Sequence, residues 1–253
     1  MTDLPTLLAV WAVVAFGAWV QVLAGFALGL FLMGAVTLFG LMPVALAAQV
    51  TSILVIFNAV MILSRDWRHT DRPALRLLLT AAIPGSVLGY AVMEYLSGES
   101  LDMLRLLLGL LIAGAALQLV RRPEPLAARS GPLGFLLSGG AGGIMGGMFA
   151  TAGPPVIWQL YRQPIAQHTV RVTLVAFFFV TQAWRLVLAG ATTGIAVPTL
   201  IAAAGAIPAV VLGTWLAQRF PPPLAPLTLR RAALALLFLN GVALIATAIA
   251  RMI

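Results

Sequence analysis

From Leu4 to Ser64 the chain reads LPTLLAVWAVVAFGAWVQVLAGFALGLFLMGAVTLFGLMPVALAAQVTSILVIFNAVMILS, without one ionisable side chain. A helix rises about 1.5 Å per residue and the hydrocarbon layer of a bilayer is about 30 Å thick, so one crossing consumes about 20 apolar residues. This run is too long for a single crossing and must turn back at least once. A second charge-free run, Leu186 to Gln218, must turn back too, and a third extends from Ala232 to Ala250. Of the 253 residues 62% are hydrophobic and 9% charged, where soluble domains carry roughly a quarter charged residues. The expected fold class is an all-α integral membrane protein.

The net charge of +8 would suggest nucleic acid in a soluble protein. Here all fifteen basic residues are Arg, and most sit in short loops between apolar runs, as the positive-inside rule requires. No stripe of basic and aromatic residues suggests base stacking, so the lipid bilayer is expected as a partner and nucleic acid is not. The chain has no Cys, which removes disulfides, thiolate ligands and thiol redox chemistry. Asp3 stands where a signal peptide would carry basic residues, and the apolar stretch continues past any cleavable length. The start is therefore read as part of the mature protein.

An internal repeat is visible. Ile83-Pro84-Gly85-Ser86-Val87-Leu88-Gly89 recurs as Ile207-Pro208-Ala209-Val210-Val211-Leu212-Gly213, and each is followed at nearly equal distance by Leu and Arg, Leu101 and Arg105 or Leu224 and Arg230. Upstream, Gly25-Phe26 with Pro43 overlays Met148-Phe149 with Pro164, more weakly. Two repeats are expected, 1–122 and 131–253, joined by a short basic linker, 121–130. Four Arg clusters (Arg65, Arg68, Arg72, Arg76; Arg121, Arg122, Arg129; Arg162, Arg171; Arg219, Arg230, Arg231) assign the cytoplasmic side. Glu94, Glu99 and Asp102 make an acidic turn, and Ala191-Thr192-Thr193-Gly194 an uncharged one. Runs 77–96 and 101–120 then form one pair of crossings, and 172–190 and 195–217 another. The stretch 131–161 must enter and return from the basic side, and 4–40 from the other. The expected architecture is two inverted-topology repeats with broken or re-entrant helices, about 8–10 membrane segments in all. Eight plain crossings are the simpler alternative.

The stretch Gly139-Gly140-Ala141-Gly142-Gly143-Ile144-Met145-Gly146-Gly147-Met148-Phe149-Ala150-Thr151-Ala152-Gly153-Pro154-Pro155 holds seven Gly and ends in a Pro pair. Gly admits backbone conformations closed to other residues, and Pro suits the first turn of a helix, where its missing N–H is not needed. The expected shape is a short helix, a break near Thr151 to Gly153, and a second short helix from Pro154. A break at membrane depth is tolerated where it lines a cavity or is buried in protein, and a helix N-terminus there makes an anion site. Secondary transporters use this device at the interface of inverted repeats. Close helix packing explains Gly142/Gly146 and Gly143/Gly147 equally well, but not the Pro pair.

The run 146–155, with Arg171-Val172-Thr173-Leu174 after it, resembles the TauE/SafE family of sulfite and organosulfonate exporters. Gly25-Phe26-Ala27-Leu28-Gly29, followed by Gln49 to Ser52, looks like the weaker first-half counterpart. The resemblance covers essentially the whole chain and implies a multi-pass transporter of small anions, sulfur-containing or carboxylated, in the bacterial inner membrane. The first half has only Pro43 and no Gly-Pro-Pro, so the halves need not contribute equally.

Polar residues inside the apolar runs complete the candidate substrate-binding set: Gly25, Gly29, Gln49, Ser52, Asn58, Thr151, Gly153, Pro154, Arg171 and Arg185. Gln49, Ser52 and Asn58 share a broad helical face, where amides and hydroxyls can donate to an anion without burying a charge; interhelical hydrogen bonding is their alternative use. Thr51, Gln21 and Gln182 stand on similar footing. Arg185, about one turn from the outer end of its run, either snorkels outward or meets substrate in an outer vestibule. Arg171 lies at the inner entrance of the same run. His168 falls in an expected loop, solvent-exposed or titrating in proton coupling, and His69 lies in loop.

No Asp or Glu lies deep in a span, no His pair with a carboxylate is placed as metal ligands, and no phosphate-cradling loop is present. Neither a catalytic residue, a metal nor a cofactor is expected, and the chain is not expected to be an enzyme. The expected function is export of a small anion (sulfite, sulfonate or small carboxylate class) by alternating access, with a proton or sodium coupling ion and a homodimeric state left open. A membrane-embedded transferase and a non-transporting scaffold are the alternatives. The first would need buried His, Asp or Glu, and the second would not need a glycine-rich break.

Overall fold

The computed structural model describes residues 4–120, 126–151, 153–220 and 226–252. Asp3, Arg121, Arg122, Ala152 and Leu224, and the side chains of Glu99, Arg230 and Arg231, lie outside what it describes. The described residues form ten α-helices: α1 (Leu4–Ala24), α2 (Leu28–Leu38), α3 (Val44–Asp66), α4 (Arg72–Glu99), α5 (Leu101–Val120), α6 (Pro132–Phe149), α7 (Gly153–Tyr161), α8 (Gln167–Thr192), α9 (Val197–Arg219) and α10 (Pro226–Met252). One 3-10 turn, Trp67–His69, follows α3. Among the described residues, seven helices are long and apolar enough to cross a membrane: α3, α4, α5, α6, α8, α9 and the part of α10 from Ala235. Large apolar side chains such as Leu133, Leu137, Ile201, Leu212 and Trp215 face outward, half or more exposed, where water would reject them and lipid tails would not. The chain is an all-α integral membrane protein.

Small residues let these helices approach closely. On α6, a Cβ at Gly139, Gly143 or Gly147 would strike the backbone of Leu78, Ala82 or Ser86 on α4. Those three glycines recur every fourth residue and form one stripe, so the packing role foreseen for Gly143 and Gly147 holds. Gly89 of α4 lies against the carbonyl of Ile144, and Gly213 of α9 against that of Ala15. These two glycines close the repeated segments, and each abuts the first helix of the other half. Pro84 and Pro208, the second residue of each segment, both stand inside helices, where each removes a backbone donor.

The two stretches expected to enter and return do double back. Leu126 N–H donates to Arg162 O (2.8 Å), Ser130 N–H to Gln163 Oε1 (3.0 Å) and Gln163 Nε2 to Ser130 Oγ (2.9 Å), so the beginning and end of the α6–α7 segment meet. Its first arm is not the short helix expected. α6 runs for 18 residues and α7 for 9, because the interrupted pattern begins only past Gly147. In the first half, Ala9, Val10 and Val13 of α1 face Leu32, Ala35 and Val36 of α2 across a shared apolar groove, so α1 and α2 also run antiparallel.

Basic loops gather at one end of the bundle. There Arg65 reaches Gln218 (3.2 Å) and Arg129 pairs with Asp71 (2.9 Å). At the opposite end Tyr90 Oη lies within hydrogen-bond distance of Thr192 and Thr193, and Gln49 Nε2 donates to Gly194 O (3.2 Å).

Candidate functional site

Two helix interruptions face each other halfway along α3 and α8. In the first, between α1 and α2, Gly25 has φ +79° and Ala27 φ +121°. The second value is rare for a residue with a Cβ and costs on the order of 1–3 kcal/mol, tolerated where the surroundings over-determine it. Ala27 is buried. Gly25 is pressed so close to α8 that a Cβ there would lie 3.0 Å from Arg171 Cα, while Arg171 Nη1 donates to Leu23 O (3.2 Å). In the second interruption Ala150 adopts the left-handed conformation (φ +55°) that ends α6, and α7 starts at Gly153. The interruptions touch, since a Cβ on Gly29 would stand 3.0 Å from Ala150 O.

Between them lies a small pocket lined by Gln21, Phe26, Ala27, Gly29, Leu30, Val55, Ala150, Thr151, Gly153, Phe178 and Gln182. Val55 and Phe178 are near the midpoints of α3 (Val44–Asp66) and α8 (Gln167–Thr192), which fixes its depth. The walls are apolar and the polar groups few, the usual composition of a small-molecule site.

Those polar groups divide into two sets. One holds the frame. Gln182 Nε2 donates to Ala150 O (3.0 Å), and its Oε1 is 2.8 Å from Ser52 Oγ. Gln21 Oε1 accepts from Leu28 N–H (3.2 Å), satisfying one of the otherwise unpaired donors in the first turn of α2. The other set is unspent. Gln21 Nε2 and Thr151 Oγ1 line the pocket and are buried without a hydrogen-bond partner. A buried polar group without a partner costs roughly 1–3 kcal/mol, so such groups beside a pocket mark where a ligand supplies the missing bond. Both can donate. Thr51 Oγ1 is also buried and unpartnered, but it does not line the pocket. The α2 first turn adds the Gly29 and Leu30 N–H groups, which have no intrahelical acceptor. α7 contributes less than the sequence suggests, because Pro154 and Pro155 bring no N–H, which leaves Gly153 as the donor of its first turn.

The sequence candidates separate in space. Gly25, Gly29, Thr151 and Gly153 meet at the interruptions, Pro154 is buried in the first turn of α7, and Ser52 supports the pocket through Gln182. Gln49 points elsewhere: Nε2 holds Gly194 O, and Oε1 accepts from Thr199 Oγ1 (3.3 Å). Asn58 donates to Thr214 Oγ1 on α9 (2.7 Å) and does not line the pocket. Arg185 does not snorkel. It is fully buried, about two turns before the end of α8, with Nε donating to Gly147 O (3.1 Å), its guanidinium 5.5 Å from the Tyr90 ring centre, and both terminal nitrogens unpartnered. Phe26, Phe178 and the Ala150 carbonyl carry no polar signal in sequence; only their neighbourhood to the Gly-rich breaks could have pointed to them.

A further correction concerns the histidines. His168 is not in a loop but in the first turn of α8. It stacks edge-on against His69 (ring centres 4.8 Å apart) and lies 3.5 Å from Asp66, so the two His and a carboxylate are brought together after all.

The family model for the sulfite exporter TauE/SafE matches residues 10–244. The chain is 38% identical over 243 residues to the probable sulfite/organosulfonate exporter TauE of Cupriavidus necator, an alignment covering 96% of this chain and 95% of that protein. No solved structure matches.

Proposed function

This chain belongs to the sulfite exporter TauE/SafE family of membrane transporters, and on that footing we propose that it exports a small oxyanion through the pocket between its two helix interruptions. It is a transporter of anions and not an enzyme, and its helices sit in a lipid bilayer. The finer reading names sulfite or a small organosulfonate as cargo, in line with the C. necator relative's name, and the bacterial inner membrane as location, with the basic loops facing the cytoplasm.

The observation that carries the reading is the convergence of unspent buried donors, Gln21 Nε2 and Thr151 Oγ1, with the first turn of α2 on one pocket at mid-depth. A tetrahedral or pyramidal oxyanion offers several acceptors at once. Neutral donors and a helix N-terminus satisfy them without the cost of burying a permanent counter-charge. The site releases its anion more readily than a salt bridge would, which export requires. Arg185, with its two free terminal nitrogens above the α6 end, and Arg171, below the α1–α2 break, draw the anion toward the pocket from either side.

Units 1–122 and 131–253 act as two inverted repeats rocking about this point, coupled to a proton or sodium ion. Supporting this, each half supplies one broken hairpin and one proline-bearing helix, and α4 packs on α6 as α9 packs on α1. Flux of sulfite and small sulfonates into proteoliposomes tests the function. Wild type is expected to transport and Gly153→Leu to insert normally but not transport; equal flux in both would remove the interruption from the mechanism.

A further inference from the structure

Away from the pocket, at the basic end of the bundle, Asp66, His69 and His168 converge. Asp66 ends α3, His69 ends the 3-10 turn and His168 stands in the first turn of α8. One ligand atom from each lies within 4.8 Å of the others, and His168 Nε2 is 3.5 Å from Asp66 Oδ1. Around a tetrahedral zinc ion with bonds of about 2.0–2.1 Å, neighbouring ligand atoms stand about 3.3 Å apart. The Asp66–His168 edge is nearly at that spacing, and closing the rest needs side-chain rotation at His69, which is exposed.

We propose that these three residues form a transition-metal site that ties the end of α3 to the start of α8. The donor set selects the ion. Two imidazoles and a single carboxylate suit zinc and its neighbours, whereas magnesium and calcium need several oxygen ligands. Arg65 and Arg68 flank Asp66 and His69 in sequence, so a bound ion has to be held by coordinate bonds from the imidazole nitrogens against a positive field. The cluster's place gives the ion a consequence. Asp71 N–H already donates to Thr173 Oγ1 (2.9 Å), laying the 66–71 loop along α8. Arg171, three residues beyond His168 on that face, holds Leu23 O at the first helix interruption. A bound ion braces the inner mouth and leaves at least one coordination position open to water.

The test uses the full chain, purified in detergent with its affinity tag removed, titrated with Co²⁺ as a coloured stand-in for zinc. Wild type is expected to bind one equivalent with visible ligand-field absorption, displaced by Zn²⁺ and not by Mg²⁺. His69→Asn, His168→Asn and Asp66→Asn should each weaken binding by at least the roughly tenfold that loss of even an outer-shell partner costs. All three sites are partly or fully exposed, so the variants should purify with unchanged melting temperatures without metal. Should one not, quenching of fluorescence by one equivalent of Co²⁺ in the wild type, through Trp67 between two of the ligands, reads the same site. Absence of one-to-one binding in the wild type, or binding that survives His69→Asn and His168→Asn together, would overturn the proposal and leave the cluster as an ion pair. None of these readouts depends on transport.

Discussion

Replacing Thr151 by Val separates a ligand-binding role from a structural one, because the two side chains have nearly the same shape. Thr151 is buried, and its hydroxyl bonds to no protein group. Nothing in the fold is lost with the oxygen; the burial cost of an unpaired hydroxyl, about 1–3 kcal/mol, is relieved. The melting temperature should therefore hold or rise. Transport should not hold. A hydrogen bond to a charged acceptor is worth about 1.5–3 kcal/mol, and each 1.4 kcal/mol is tenfold, so the half-saturating concentration of sulfite or sulfonate should rise by about 10- to 150-fold. The assay is initial flux into proteoliposomes across substrate concentrations, beside thermal unfolding of the same preparation. Thr51→Val is the internal contrast: it also removes a buried, unpartnered hydroxyl, but Thr51 does not line the pocket, so flux should stay near wild type. Unchanged half-saturation in Thr151→Val, or a loss of stability without a loss of affinity, would refute the reasoning.

Three other substitutions probe neighbouring parts of the account. Gly29→Val places a Cβ 3.0 Å from Ala150 O, against side chains of Thr51 and Thr151; flux should vanish while membrane insertion, read by size-exclusion profile, persists. Arg185→Met removes a buried cation whose two terminal nitrogens have no partner. Exchange of a buried ion for a well-packed apolar residue is often neutral or stabilising by about 1–4 kcal/mol, so the melting temperature should not fall although flux drops. A marked fall in melting temperature with flux intact would make Arg185 a cap of α6 only. Gln49→Ala and Asn58→Ala each break interhelical bonds outside the pocket, worth on average about 0.6 kcal/mol. Both should lower the melting temperature slightly and leave half-saturation unchanged.

Much of the architecture is legible in the chain itself. Charge-free runs longer than one crossing force turns, and the glycines with Pro154-Pro155 require a helix to stop and restart; both follow from length and backbone chemistry. The first interruption is harder to read, because Ala27 carries the most strained backbone angle there and no rule marks alanine for it. Side-chain partners were less accessible still. Gln49, Ser52 and Asn58 share a face broad enough to serve three neighbours. Only packing shows that Ser52 meets Gln182, Gln49 the 194–199 turn and Asn58 α9. His69 and His168 belong to different halves, and nothing local to either announces the other.

The central claim is that the two broken helices meet around a bound oxyanion. A cryo-EM map of the protein with a small sulfonate tests it most directly. The sulfonate oxygens should lie within hydrogen-bond distance of Thr151 Oγ1 and the Gly29 N–H, beside Phe26 and Phe178. Continuous helix through 150–153, or a sulfonate seated away from both interruptions, would contradict it.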